Sequence, residues 1–198
     1  MSELKRRSTL REVSPLNRDE ALSLVKTKVK NRRIFCHMLA VEAIMRKLAD
    51  NLGEDEDLWG LTGLLHDIDF EETRDHPERH GLKAVELLMG DVPEDVLRAI
   101  KAHNYEYTGV EPETRMEKAL IASDALSGLL VACALVMPSK KMSEVKIKTV
   151  KKKFKDKDFA RGADRGRISL CEDIGLTREE FFEIGLEALK GISQRLGL

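Results

Sequence analysis

The sequence predicts an all-α protein with a single domain of eight or nine helices. Apolar residues recur at helical spacing along almost the whole chain, and no alternating run of β-branched residues is long enough for a strand. A length of 198 residues allows one well-buried domain and is short for two. A content of 42% hydrophobic and 35% charged residues, with 5 Pro and 13 Gly, excludes collagen-like and wholly disordered chains.

The amino-terminal part predicts a tail followed by three helices. Residues 1–13 are polar and aperiodic, which predicts a flexible tail ahead of a domain at 14–198. Asn17 and Glu20 have the spacing of a capping pair and open the first helix. The second helix carries a continuous apolar stripe and ends at Gly53. The three predicted ranges are 17–29, 32–52 and 55–67.

The rest of the chain predicts six further helices, several of them bounded by residues that start or stop a helix. Pro93 suits the first turn of a helix, and Pro138 cannot continue the long helix before it. Thr177 and Glu180 form a second capping pair. The predicted ranges are 78–89, 93–103, 113–136, 143–154, 160–174 and 177–196.

Net charge and cysteine content exclude several classes of protein. A formal charge of −1 gives no global attraction to nucleic acid or to a membrane. Three scattered cysteines do not form a secreted disulfide framework. The basic start lacks the apolar run of a signal peptide, and polar residues interrupt the most apolar window, at 119–137. We therefore expect a cytoplasmic protein that binds no membrane and no nucleic-acid polymer, and an oligomer is possible.

Charge is distributed unevenly along the chain. Residues 53–95 contain fourteen Asp and Glu against three basic residues, and residues 140–158 contain nine Lys against three acidic residues. An acidic region beside a basic one suits a protein that holds cations together with a phosphorylated ligand. The alternative is that both segments are ordinary solvated helix faces.

Four polar residues on apolar helices indicate a metal site. His66 and Asp67 end an apolar helix, where an unpaired carboxylate would cost several kcal/mol unless a cation compensates it. His37 and Asp124 share their helix faces with apolar residues, so both are expected to point inward. Each alone could be a satisfied core histidine or a paired carboxylate. Together, imidazole and carboxylate suit Fe, Mn, Ni or Zn better than Ca²⁺ or Mg²⁺.

These residues, in this order on successive helices, resemble the metal ligands of the HD superfamily of metal-dependent phosphohydrolases, over about residues 33–136. His80-Gly81 and His103 resemble the additional ligands of HD proteins that carry two metals. The layout is similar to that of bacterial dinucleoside-tetraphosphate hydrolases and of cyclic-dinucleotide phosphodiesterases. The chain lacks a Gly-Tyr-Pro segment after His80, so the second activity is not supported. The run of residues 37–45 also resembles a subgroup of small HD hydrolases, which leaves the substrate open.

The resemblance implies a binding site for one or two divalent ions. Asp67 would bridge the two ions and, with His66, form the catalytic pair. The chemistry implied is cleavage of a phosphoester of a small nucleotide or related metabolite by a metal-activated hydroxide. The implied ligands are His37, His66, Asp67 and Asp124 for the first ion, and His80 and His103, with Asp67, for the second.

Three regions remain as candidates for supporting roles. His76 stands four residues before His80, but Pro77 favours a turn there, so His80 is preferred as the ligand. Carboxylates that follow the His-Asp pair, Asp69 among them, are candidates to orient the ligand imidazoles. The basic helices at 140–198 are candidates to hold phosphate groups. The candidate substrate-binding residues are Lys148, Lys152, Arg161 and Arg165, with Lys101 as a further candidate beside Asn104 and the 105–109 loop.

Two other functions are compatible with the same residues. A di-iron oxygenase of HD type would use identical ligands and activate O₂ instead of water. A non-catalytic sensor would bind a nucleotide and a partner, but such a protein need not keep six metal-type side chains. We therefore expect a phosphohydrolase first.

Overall fold

The structure is a computed structural model that describes residues 16–198, and the predicted tail at 1–13 lies outside them. The described residues contain no strand, which confirms the all-α prediction. Eight of the α-helices in the described residues have seven residues or more, which agrees with the predicted eight or nine helices. The helices are α1 (Arg18–Lys28), α2 (Arg32–Leu52), α3 (Glu56–Leu65), α4 (Phe70–Thr73), α5 (Leu82–Leu88), α6 (Glu94–His103), α7 (Tyr105–Thr108), α8 (Arg115–Leu135), α9 (Ile147–Lys155), α10 (Arg165–Ser169), α11 (Arg178–Gly191) and α12 (Ser193–Leu196).

Helix boundaries follow the local sequence signals. Asn17 and Thr177 cap α1 and α11 in complete capping boxes, and Thr114 does the same for α8. Helix α2 ends at Gly53, whose φ of +71° is a left-handed conformation that glycine adopts without steric cost.

Three predicted helices begin later than their apolar periodicity indicates. In the range 78–89, a 3₁₀ turn at Pro77–Arg79 and the positive φ of Gly81 (+82°) delay the start of α5 to Leu82. The range 143–154 begins with another 3₁₀ turn and becomes α-helical at Ile147. In the range 160–174, Asp164 caps α10, so residues 160–163 form a loop instead of a helical turn.

The apolar core has two parts that meet at α2. One part lies among α2, α8 and α11, and the other among α1, α3, α5 and α6. Helices α2 and α3 approach so closely that a Cβ on Gly63 would lie 3.0 Å from the backbone of Glu42. This close packing fixes the end of α3, where His66 lies, against α2, which carries His37.

Helix α8 is long and apolar enough to cross a membrane, but 67% of its most apolar window is buried inside the domain. This is typical of the central helix of a soluble protein. The cytoplasmic location stays a prediction.

Candidate metal centre

The structure brings all six predicted ligands to one place. His37 comes from α2, His66 and Asp67 directly follow α3, and His80 follows the 3₁₀ turn before α5. His103 is the last residue of α6, and Asp124 lies in the middle of α8. His66, Asp67 and His103 are buried, and the other three are partly buried. The ligands are up to 87 positions apart in sequence, so only the packing of α2, α3, α6 and α8 unites them.

The first group of possible ligand atoms contains His37, His66 and Asp67. Their donor atoms all lie within 4.8 Å of one another, with the Nε2 atoms of His37 and His66 separated by 3.3 Å. Asp124 approaches this group from α8, where its Oδ1 lies 3.1 Å from His37 Nε2. These are the four residues that the sequence predicts for the first ion.

The second group contains Asp67, His80 and His103. The Nε2 atoms of His80 and His103 are 2.9 Å apart, and Asp67 Oδ1 lies 3.3 Å from the first and 3.7 Å from the second. Asp67 therefore belongs to both groups, which is the arrangement that a bridging carboxylate requires. His76 lies outside this group, since its exposed ring faces Glu78 at 3.3 Å.

Each of the four imidazoles is oriented through its Nδ1 atom. His66 Nδ1 donates to the carbonyl of Gly63 at 2.8 Å, and His103 Nδ1 to the carbonyl of Ile100 at 2.5 Å. A carbonyl oxygen accepts only, so both rings carry their proton on Nδ1 and present an Nε2 lone pair to the centre.

The same assignment holds for the other two rings. His80 Nδ1 lies 2.9 Å from the Asp69 carboxylate, which accepts its proton. For His37 the acceptor is the hydroxyl oxygen of Ser127, 3.0 Å from Nδ1, because the hydroxyl hydrogen is donated to the carbonyl of Asp124 at 2.9 Å. All four rings thus have the hydrogen-bonding pattern that is usual for metal-ligating histidines.

The convergence of four Nε2 atoms fits a bound cation. Two imidazole lone pairs facing each other at 2.9 or 3.3 Å repel unless a proton or a metal ion lies between them. Two carboxylates, Asp67 and Asp124, border the same space and add negative charge to it. Nitrogen and carboxylate donors together are the set that divalent transition metals prefer.

The electrostatics of the centre show how strongly its groups interact. Burial lowers the pKa of His66 to about 4, against the opposing attraction of Asp67. Burial also disfavours the charged form of His80, but hydrogen bonds to Asp67 and Asp69 raise its pKa to about 10, so at neutral pH a proton occupies its Nε2 unless a cation takes that place. Burial would raise the pKa of Asp67, yet the charge of His66 and hydrogen bonds from His103 and His80 hold it well below its usual range.

The structure places Asp69, which the sequence offers as a candidate to orient a ligand, beside the ring of His80. It is fully buried, and its Oδ2 accepts hydrogen bonds from the backbone N–H groups of Gly81 and Ala84, both at 2.9 Å. Its Oδ1 accepts from His80 Nδ1. One carboxylate therefore anchors the start of α5 and fixes the direction of the His80 ring.

A cavity of about 430 Å³, here called the metal cavity, opens onto the ligands. Two arginines line it that the sequence reasoning missed, Arg33 and Arg167. Arg33 lies one helical turn before His37 on α2, a spacing that could have identified it. Arg167 lies on α10, and only the fold brings it from the carboxy-terminal region to the metal ligands.

The Arg167 guanidinium is held loosely. It stands 5.5 Å from the Tyr105 ring and forms long ion pairs, 3.5 Å to Glu106 and 3.9 Å to Asp124. Its side chain forms no closer hydrogen bond to any residue in the 16–198 range. Its side chain is 19% exposed, so its N–H groups are free to bind an anion in the cavity.

The predicted substrate-binding residues lie farther out. Lys148 and Lys152 are exposed on α9, and Arg161 is exposed and pairs with Asp158 at 2.8 Å. Lys101 is partly buried on α6. None of these four is among the residues that line the metal cavity.

The assignment of Arg165 as a phosphate ligand is corrected by its contacts. All five of its N–H groups point at backbone carbonyls, so none remains for a substrate. Its guanidinium instead holds together the loop between α9 and α10. The six carbonyls are those of Lys153, Phe154, Asp156, Phe159, Ala160 and Ala163.

Comparison with known proteins identifies the part of the chain that carries the centre. The family model described as HD domain matches residues 34–129, a range that includes all six ligands. Searches of curated proteins and of solved structures found no match. Arg33 and Arg167 both lie outside the matched range.

Proposed function

We propose that this chain, which belongs to the HD superfamily of generally metal-dependent phosphohydrolases, cleaves a phosphoester of a small nucleotide or related metabolite. The observation that carries this proposal is the convergence of four histidine Nε2 atoms on Asp67, with every Nδ1 atom already bonded elsewhere. Packing alone does not favour such an arrangement, because neighbouring Nε2 atoms repel unless a proton or a cation lies between them.

Under this proposal, the two donor groups would hold one or two ions of Fe, Mn, Ni or Zn, and Asp67 is a candidate ligand in both groups. Ions at these positions would supply positive charge to phosphoryl oxygens and lower the pKa of water towards neutrality. His66 and Asp67 are the catalytic pair in the sense that both are ligands beside the reacting group. Asp69 and Ser127 keep the imidazoles of His80 and His37 in position.

Arg33 and Arg167 are proposed to bind the phosphoryl oxygens. Both line the metal cavity, and a guanidinium can donate two parallel hydrogen bonds to one phosphate group. Lys101, Lys148, Lys152 and Arg161 lie outside that cavity, and we propose that they attract the anionic substrate through the longer-range field.

The test is a metal determination followed by a hydrolysis screen. We expect the purified protein to contain a transition metal and, with Mn²⁺, Ni²⁺ or Fe²⁺, to release phosphate from p-nitrophenyl phosphate or from mono- and dinucleotides under anaerobic conditions. His37→Ala should lose metal and activity. The matched control is His76→Ala, because His76 is an exposed histidine outside the centre, and it should retain both.

Three outcomes would contradict the proposal. Absence of metal binding would remove its basis. A product that is oxidised and forms only in the presence of O₂ would identify a di-iron oxygenase. Tight nucleotide binding without turnover at any metal would identify a sensor.

A further inference from the structure

A second and larger cavity adjoins the metal cavity and has a different chemical character. Its volume is about 920 Å³, within the usual range for sites that bind small organic molecules. Its wall includes the aliphatic side chains of Val131 and Leu135 on α8 and of Leu196 on α12. We call it the aliphatic cavity.

The aliphatic cavity is continuous with the reaction centre. His37 and Arg33 line both this cavity and the metal cavity. A phosphoryl group held at Arg33 and the metal ligands would therefore direct the rest of its molecule past His37, towards α8 and α12. Arg33 stands at this junction and Arg32 also lines the aliphatic cavity, so two guanidinium groups are available for the phosphorylated end of a ligand.

Its lining is unsuited to a nucleobase. Among residues 16–198, no Phe, Tyr or Trp lines it, and the imidazole of His37 belongs to the first donor group, so a base would find little surface on which to stack. The Ser127 hydroxyl already donates to the carbonyl of Asp124, and Asn31 Oδ1 already accepts from the backbone N–H of Arg33. Few acceptors therefore remain among these side chains for the amino groups of a base, and a buried donor without a partner is costly.

An exposed apolar residue marks the entrance. Leu135 lines the cavity and is 50% exposed. Burying such a surface against an apolar ligand is favourable, because it removes hydrocarbon from water.

We propose that the aliphatic cavity holds the hydrocarbon part of the substrate, so that the protein acts on phosphomonoesters of aliphatic alcohols. The inference rests on the proposed phosphohydrolase function. It narrows the substrate class from small nucleotides and related metabolites to phosphomonoesters with an aliphatic chain. The products would be inorganic phosphate and the free alcohol: water adds at phosphorus, the P–O bond to the alcohol breaks, and the alcohol oxygen takes up a proton.

The test is a chain-length series with the metal-loaded full chain. Ethyl, butyl, hexyl and octyl phosphate are compared with adenosine monophosphate and p-nitrophenyl phosphate. Each fully buried methylene favours binding by about fourfold, so partial burial of six more methylenes should lower KM for octyl phosphate at least about tenfold relative to ethyl phosphate. Adenosine monophosphate should have a higher KM than octyl phosphate.

Variants locate the effect. Leu135→Gln and Val131→Asn should each reduce the octyl-to-ethyl ratio of kcat/KM by severalfold. Leu135 is half-exposed, so its variant keeps the test valid if the Val131 variant fails to fold. Val136→Asn is the matched control, since Val136 is equally exposed and does not line the cavity, and its ratio should not change.

A binding measurement separates this inference from the proposed function. Octylphosphonate, which has no ester bond to hydrolyse, should bind more tightly than ethylphosphonate and with a negative heat-capacity change. Hydrolysis of p-nitrophenyl phosphate without any chain-length trend, or a trend that Leu135→Gln leaves intact, would overturn the inference and leave the phosphohydrolase standing. Failure to hydrolyse any ester with any metal would overturn both.

Discussion

The acidic segment at 53–95 and the basic segment at 140–158 differ in how their charges are held. Asp69, in the first, is fully buried and accepts three hydrogen bonds. Lys148 and Lys152, in the second, are exposed and form no ion pair with another residue of the described range. A buried charge must have partners, because its desolvation costs several kcal/mol, whereas an exposed lysine requires none.

The contrast teaches which charged residues reveal a function. A carboxylate on an apolar helix face is informative, since folding tolerates it only with a specific partner. A lysine on a solvated face is not informative, since it is stable there whether or not it has a function. Arg165 and Arg167 show the limit of residue type as a guide, because they stand two positions apart and yet one binds backbone carbonyls while the other faces the metal cavity.

The largest effect should follow from removing the carboxylate shared by the two donor groups. We expect Asp67→Ala to lose both metal equivalents and to reduce kcat/KM at least about a thousandfold, because neither group remains complete. His80→Ala and His103→Ala should each lose one equivalent and retain more activity than Asp67→Ala. Metal content and turnover of the three variants are measured in parallel. Two equivalents and full turnover in His80→Ala would show that the second group is not a metal site.

Metal removal should have the next largest effect, this time on stability. Binding to the native state alone adds about 2.7 kcal/mol at a hundredfold excess over Kd. For a protein of this size that corresponds to a rise in Tm of about 5–10 °C. Thermal melts before and after chelation, with the metal content verified, check this. An unchanged Tm would mean that the buried carboxylates are compensated by protons and hydrogen bonds alone.

Much of the metal centre could be predicted from the sequence, and the substrate side could not. His37 and Asp124 reveal themselves through apolar neighbours at helical spacing, and His66 and Asp67 through the apolar helix that they end. The Arg167 contact depends on where a loop places α10, and no periodicity encodes it. The helix boundaries near Gly81 and Asp164 were missed for a similar reason, since a positive φ or a side-chain cap overrides an apolar pattern that continues through it.

The two neighbouring arginines provide the third prediction. Arg167→Gln should raise KM for phosphorylated substrates about tenfold or more with little change in Tm, because a charged hydrogen bond is lost at the metal cavity. Arg165→Gln should instead lower Tm, because the carbonyls of the loop between α9 and α10 lose their common donor. Kinetics and thermal melts on both variants decide this. A normal KM in Arg167→Gln would exclude Arg167 from substrate binding.

The smallest effect is expected from the exposed basic residues, in a triple variant with Lys148, Lys152 and Arg161 all replaced by Gln. Since they lie outside the metal cavity, they can act on a substrate only through the long-range field, which salt screens over about 8–10 Å at physiological ionic strength. KM should therefore rise about twofold at low salt and return to the parent value at physiological salt.

Metal content and Tm should not change, because these side chains contribute no core packing beyond their aliphatic stems. The control for net charge is a second triple variant, with Lys26 and Lys28 on α1 and Lys190 on α11 replaced by Gln, because it also removes three positive charges. An effect that persists at high salt would place the basic residues in direct contact with substrate, and equal KM values at both salt concentrations would leave the segment a solvated face.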